Sequence, residues 1–143
     1  MNMKLYETLP REAVKIRQAV FVEEQGFCEE FDITDGEAKH LVLFDGKTPV
    51  ATCRFFRKDL DSNHYIIGRI AVIKPYRGKK IGSRLIKSVE TEILKAGGSR
   101  VFLHAQETAR DFYEKQGYLA CSEIDFDENC PHIWMCKEIG GGQ

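Results

Sequence analysis

Apolar residues return every four positions between Ile81 and Ile93: Ile81, Leu85, Val89 and Ile93 form one column, with Ile86 and Leu94 beside it. That spacing predicts one buried face of a helix, and Gly97-Gly98 marks its end. A second helical run starts at Pro10 in "PREAVKIRQAVFVEEQ", where Ala13, Val14, Ile16, Val20 and Phe21 share a side. Elsewhere the apolar runs are short and β-rich. "HLVLF" and "VATCRFF" flank Asp45-Gly46, a pair suited to the positive φ of a tight turn, and are predicted to form an antiparallel hairpin. "HYIIGRIAVI" predicts a third strand that stops at Pro75, which has no N–H for a ladder. "SRVFLHA" predicts a strand after the long helix, and a strand-helix-strand order favours parallel, right-handed pairing. In "ETARDFYEKQGY" Thr108 and Asp111 have capping-box spacing, Ala109, Phe112 and Tyr113 share a face, and Gly117 suits the left-handed helix end. "YLACSEI" and "HIWMCKEI" close the chain as strands. The expected fold class is α+β with a mixed sheet, an antiparallel meander feeding a strand-helix-strand-helix unit.

A chain of 143 residues suits a single domain, here 1–139, with "GGGQ" over 140–143 as a fraying tail. Hydrophobic residues make up 43%, charged residues 30%, and the net charge is -1, which points away from a disordered chain and from a nucleic-acid coat. No apolar run approaches the ~18 residues of a membrane span, and "MNMKLYETLPREA" lacks a secretory signal, so a cytoplasmic location with no membrane partner is expected. The five cysteines form no Cys-x-x-Cys pair and are read as reduced thiols, with no metal expected. Cys53, Cys121 and Cys136 lie in apolar runs and are expected to be buried; Cys28 and Cys130 fall in loops.

Within this neutral chain, Lys74, Arg77, Lys79, Lys80 and Arg84 gather in "AVIKPYRGKKIGSRLI", a strand-to-helix turn. A helix start offers unpaired N–H groups and a positive dipole end, and Gly78 and Gly82 let backbone approach a phosphate. Without an anion the cations would oppose the dipole, so the arrangement suits a polyphosphate ligand better than a solvated surface. Neither the P-loop pattern nor the dinucleotide G-x-G-x-x-G is present.

The turn resembles the acetyl-coenzyme A loop of the GNAT superfamily of N-acetyltransferases, [Q/R]-x-x-G-x-[G/A], with Arg77, Ile81 and Gly82 in place and Lys80 where the first glycine stands. "HAQETARDFYEKQGY" is similar to the family's fifth strand and next helix, with Ala109, Tyr113 and Gly117 matching A-x-x-x-Y-x-x-x-G. "FVEEQGF" and "PHIWM" resemble the small bacterial ElaA-like and YjcF-like subgroup. The resemblance implies a mixed, mostly antiparallel sheet with helices on both faces and a splay between the fourth and fifth strands. It also implies acetyl-CoA as acyl donor, held by Ile70, Ala71 and Val72 along the fourth strand and by Arg77, Gly78, Lys79, Lys80, Ile81, Gly82 and Ser83. Transfer would go directly to a primary amine through a tetrahedral intermediate, with an amide such as that of Val72 stabilising the oxyanion and Tyr113 beside the sulfur as general acid. Glu24, His104 and His132 are the candidate bases, with His132 ranked above His104.

Between Gln18 and Ala38 stand seven acids (Glu23, Glu24, Glu29, Glu30, Asp32, Asp35, Glu37) with no Lys or Arg, which either draws in a small cationic amine or forms a solvated loop. Two rival readings remain: a non-catalytic acyl-CoA sensor or interaction module, and a nucleic-acid patch that the balanced charge disfavours. The chain is compatible with a monomer or a homodimer.

Overall fold

The computed structural model describes residues 1–27 and 31–140. Cys28, Glu29 and Glu30, and tail residues Gly141, Gly142 and Gln143, lie outside the described residues. The strands are β1 (Asn2–Tyr6), β2 (Lys39–Asp45), β3 (Thr48–Arg57), β4 (His64–Val72), β5 (Arg100–Gln106), β6 (Leu119–Ala120), β7 (Asp125–Asp127) and β8 (Cys130–Glu138). The α-helices are α1 (Arg11–Arg17), α2 (Ile81–Lys95) and α3 (Arg110–Lys115). Hydrogen-bonded neighbours run β1-β2-β3-β4-β5-β8-β6, with β7 also on β8. The sheet is mixed and mostly antiparallel, and β4 with β5 is its parallel pair.

Two compact units divide the chain: Met1–Phe56 with Gly68–Val89, and Arg57–Ile67 with Glu90–Gln143, so that β4 and α2 each contribute residues to both. In the first unit, α1 enters behind Pro10 and continues as a π-helix over Gln18–Glu24. Ala13, Ile16 and Val20 pack with Val42, Phe44 and Ala71, the face the helical spacing predicts. The β2–β3 hairpin turns at Gly46, φ +62, and Asp45 pairs with Thr48 as Asp45-Gly46 led one to expect. β1 was not foreseen; its side chains are mostly exposed, so its residues carry no clear alternation.

In the second unit, parallel register joins β4 to β5 from His64–Arg100 to Ile67–Leu103 and stops there. Beyond that point β5 continues against β8, with His104 opposite Trp134 and Gln106 opposite His132. Val101, Leu103, Ala105, Ile133 and Met135 are buried, whereas the alternate residues Phe102, His104 and Trp134 are partly open. The expected capping box at Thr108 and Asp111 does not form: a 3-10 turn over Glu107–Ala109 precedes α3, with Ala109 at its start and no side-chain cap. Gly117 has φ +96, as the helix end requires. Cys53 is buried as expected, but Cys121, the residue after β6, is exposed.

Candidate active site

Each unit holds some of the residues that the sequence singles out. In the first, β4 closes with Ile73 N–H donating to the Val50 carbonyl (3.0 Å), and a 3-10 turn over Lys74–Tyr76 carries the chain toward α2. Two residues before the helix are left-handed: Gly78 (φ +75) and Lys80 (φ +63). No atom lies within 4 Å of where a Cβ on Gly78 would stand, so glycine serves the backbone angle there and not the space. Lys80 occupies the position of the family's glycine, and its φ explains that preference. Alternating φ sign over Gly78, Lys79 and Lys80 lets successive N–H groups converge on an anion. The first turn of an α-helix points N–H groups away from intrahelical acceptors, and in α2 the Arg84 N–H reaches back to Lys80 O at 3.2 Å.

The cations of the loop divide. Arg77 turns away from it, with Nε donating to Val72 O (2.9 Å) and both terminal nitrogens donating to the Glu24 carboxylate (2.6 and 2.7 Å). Arg84 Nη2 donates to the carbonyl of Met1 at 3.1 Å. Lys79 sits over the Tyr76 ring, 5.3 Å from its centroid, and Tyr76 donates to Asp45 Oδ2 at 2.7 Å. Hydrogen bonds from Arg77 hold the Glu24 carboxyl below the usual carboxylate range, a poor setting for a proton acceptor.

An ionic network, buried at Arg17, Asp35 and Arg54 and open at Asp32, lies in the same unit and was absent from the sequence-based expectations. Arg17 donates twice to Asp35 (2.7 and 3.0 Å), Arg54 bridges Asp35 (3.0 Å) and Asp32 (2.6 and 3.2 Å), and Arg69 also reaches Asp32 (3.2 Å). Asp32 N–H donates to Asp35 Oδ2 at 3.0 Å, and His40 Nε2–H to the Asp35 carbonyl at 3.0 Å. Burial alone would raise the Asp35 carboxyl, yet the hydrogen bonds from Arg17, Asp32 N–H and Arg54 hold it far below the usual range. Arg69 itself is left-handed (φ +51), one residue before Ile70, and its guanidinium joins the network through Asp32. Two arginines inside apolar runs, Arg17 in "AVKIRQAV" and Arg54 in "VATCRFF", were the available signal. Of the seven acids in the 18–38 stretch, Glu24, Asp32 and Asp35 pair with arginines.

In the second unit, α3 presents Tyr113, 8% exposed, edge-on to Phe112 (5.0 Å) and Tyr118 (6.3 Å). Lys137 fastens the end of this helix: Nζ donates to the Gln116 carbonyl (2.8 Å) and to Glu90 (3.1 and 3.2 Å), and Tyr118 donates to Glu90 as well (2.7 Å). A Cβ at Gly117 would press on the Lys137 stem at 3.2 Å, so the glycine serves both the angle and this clasp. On the partly open face of β5 and β8, the His104 ring stacks between His132 (4.6 Å) and Trp134 (4.7 Å). His104 Nε2 donates to Asp125 Oδ1 (2.7 Å), and His132 Nδ1 donates to the Cys130 carbonyl (2.9 Å). The structure thus brings His104 and His132 together, while Glu24 lies in the other unit. Among the described residues no cluster of three or more His, Cys, Asp or Glu could hold a metal ion, and no helix is long and apolar enough to cross a membrane.

This chain belongs to the GNAT acetyltransferase family, whose acetyltransferase (GNAT) domain matches residues 7–139, and it is an acyltransferase. Within the family it falls with the YjcF and ElaA proteins. It is 36% identical to the uncharacterized N-acetyltransferase YjcF of Bacillus subtilis over 90% of this chain and 91% of that protein. ElaA of Escherichia coli is 32% identical over 88% of this chain and 85% of ElaA. The crystal structure of Escherichia coli ElaA aligns with TM-score 0.86 and 26% identity, covering 96% of this chain and 99% of that one. The same fold occurs in an aminoglycoside 6'-N-acetyltransferase crystallised with coenzyme A (TM-score 0.75, 17% identity, 96% and 97% covered).

Proposed function

We propose that this protein transfers the acetyl group of acetyl-CoA to a primary amine of a small molecule. The observation that carries this reading is the backbone directly ahead of the α2 N-terminus, where Gly78 and Lys80 are both left-handed. In the proposed arrangement the N–H groups from Gly78 to Ser83 bind the diphosphate, Lys79 and Lys80 add positive charge, and Arg77 fixes the loop through Val72 and Glu24. Ile70, Ala71 and Val72 offer strand edge to the pantetheine arm. A β4 amide N–H, such as that of Val72, donates to the developing oxyanion as the amine attacks the thioester carbonyl. The C–N bond forms, the C–S bond breaks, and Tyr113 gives its phenolic proton to the departing thiolate; phenol and thiol acidities, near ~10 and ~8.5, are close enough for that transfer. No nucleophilic side chain is needed. Pairing of Glu24, Asp32 and Asp35 with arginines gives no reason to restrict the acceptor to cations.

Calorimetry with acetyl-CoA, followed by thiol release across a panel of primary amines, tests the proposal. Saturable binding with amine-dependent release is expected. Binding with no release from any amine turns the protein into an acyl-CoA sensor, and absence of binding removes the reading altogether. Tyr113→Phe is expected to lower kcat by about a hundredfold while leaving coenzyme affinity nearly unchanged.

A further inference from the structure

Resting on Tyr113 as the proton donor of the transfer just proposed, we infer that Lys137 is a positioning residue for Tyr113, acting through a closed circuit of hydrogen bonds that ties α3 to α2 and β8. Every member of the circuit, Glu90, Tyr113, Gln116, Tyr118 and Lys137, belongs to the second compact unit.

The need for such a device lies in α3 itself. The helix has six residues, fewer than two turns, and its start carries no side-chain cap. A helix this short does not hold its shape through its own hydrogen bonds and depends on tertiary contacts. Past Lys115 the chain reverses at left-handed Gly117 and closes back on Tyr113: the N–H groups of Gln116 and Tyr118 both donate to the Tyr113 carbonyl at 3.0 Å. The place of the Tyr113 backbone is therefore set by the two residues that flank Gly117.

Lys137 holds both of them. Its Nζ donates to the Gln116 carbonyl at 2.8 Å and to the two Glu90 oxygens at 3.1 and 3.2 Å, three acceptors for the three N–H bonds of an ammonium. Glu90 in turn accepts the Tyr118 hydroxyl at 2.7 Å, and the ammonium stands 5.6 Å from the centre of the Tyr118 ring. The hydrogen bonds thus run from the Tyr113 carbonyl through Gln116, Lys137, Glu90 and Tyr118 back to the same carbonyl. Tyr118 is fully buried and meets the Tyr113 ring edge-on at 6.3 Å, so one circuit fixes both the backbone and the packing of the ring. The Glu90 and Lys137 side chains are only 12% and 27% exposed, which makes their pairing stiffer than a solvated surface pair. A displacement of about 1 Å in a reacting group is enough to slow a reaction on the order of a hundredfold, so a proton donor on so short a helix gains from this bracing.

The test uses the intact chain with acetyl-CoA and the primary amine that gives the fastest thiol release. Lys137→Met keeps an unbranched stem beside Gly117 and removes the ammonium; kcat is expected to fall about tenfold, with the coenzyme Kd and the amine KM within about twofold of the parent. Tyr118→Phe removes only the hydroxyl on Glu90 and is expected to cost about threefold in kcat. The deciding measurement repeats Lys137→Met in a Tyr113→Phe background. Because Lys137 acts through the Tyr113 hydroxyl, its removal there should change kcat by less than twofold. An equal loss in both backgrounds shows that Lys137 supports the fold alone and overturns the inference, as does undiminished turnover in Lys137→Met; both results leave the transfer reaction standing. Should Lys137→Met not fold, Tyr118→Phe takes its place in the same comparison, with the same two outcomes. Parent-like turnover in Tyr113→Phe removes the proton donor and this inference with it, and a parent protein that binds acetyl-CoA but acetylates no amine removes the transfer itself.

Discussion

Replacing Lys80 by glycine tests the coenzyme loop without touching any proposed reacting group. At φ +63 the Lys80 Cβ is held in a region that costs a side-chain-bearing residue about 1–2 kcal/mol. Glycine removes that cost but brings about 0.5–1 kcal/mol of extra unfolded-state entropy, so a net gain of about 0.5–1 kcal/mol is expected. For a chain of this size that corresponds to a rise in Tm of roughly 2 °C, readable by calorimetry. Lys80→Ala is the control, since it keeps the Cβ and the strain while removing the ammonium; its Tm should stay near the parent's. Coenzyme titration then separates the two contributions. If the ammonium pairs with a phosphate, both variants lose affinity alike, by about tenfold for a contact of about 1.4 kcal/mol. A glycine variant less stable than the parent, or an alanine variant stabilised equally, would show that the position is not left-handed and would refute the reasoning.

Three further outcomes follow from packing and charge. A Cβ at Gly98 would run into Ile93 and come within 2.8 Å of Tyr65 Cδ1, so Gly98→Ala should cost about 2–4 kcal/mol in denaturant unfolding. Burial depresses the basicity of His40, so the folded state resists a proton that the unfolded chain accepts; stability should be full above the ordinary imidazole range near ~6.5 and fall as pH drops through it. Asp35 adds a second decline, beginning below the ordinary carboxylate value near ~3.9, because its folded-state acidity is enhanced; Tm against pH should show both steps, and His40→Gln should remove only the first. Glu24→Gln should release Arg77 from its bidentate clamp and weaken coenzyme binding modestly, about twofold to fivefold, with the Tm nearly unchanged since the pair is partly solvated.

Elements set by local rules were legible in the sequence. The four-residue column of α2 is completely buried at Leu85, Val89 and Ile93, and the Asp45-Gly46 turn and the left-handed Gly117 are where turn chemistry puts them. The parallel β4–β5 pair followed from chain order and handedness. Features that depend on distant partners were not. β7, Asp-Phe-Asp, has three exposed residues and exists because it pairs with β8, and no periodicity announces it. Asp125 consequently entered no list of candidate groups, although it supplies the carboxylate for His104. Arg54 sits in a strand that propensity reads as apolar, and its partners Asp32 and Asp35 come from a segment that composition reads as a solvated acidic loop. In the coenzyme loop the residue pattern was visible, while the turn of Arg77 toward Glu24 depends on a residue 53 positions away.

The π-helical stretch Gln18–Glu24 has a consequence for how this segment can change over time. A π-turn accommodates one residue more than an α-turn, as the Gln25 N–H to Val20 carbonyl bond shows. Losing one residue ahead of Phe21 would let the segment relax to ordinary helix and rotate everything after it by about 100°. Phe21 would leave its place against the core cluster that holds Ala13 and Val42, and Glu24 would swing off Arg77. Helix length and the arginine clamp are thereby inherited as one trait, and a descendant that sheds the extra residue must find another counter-ion for Arg77.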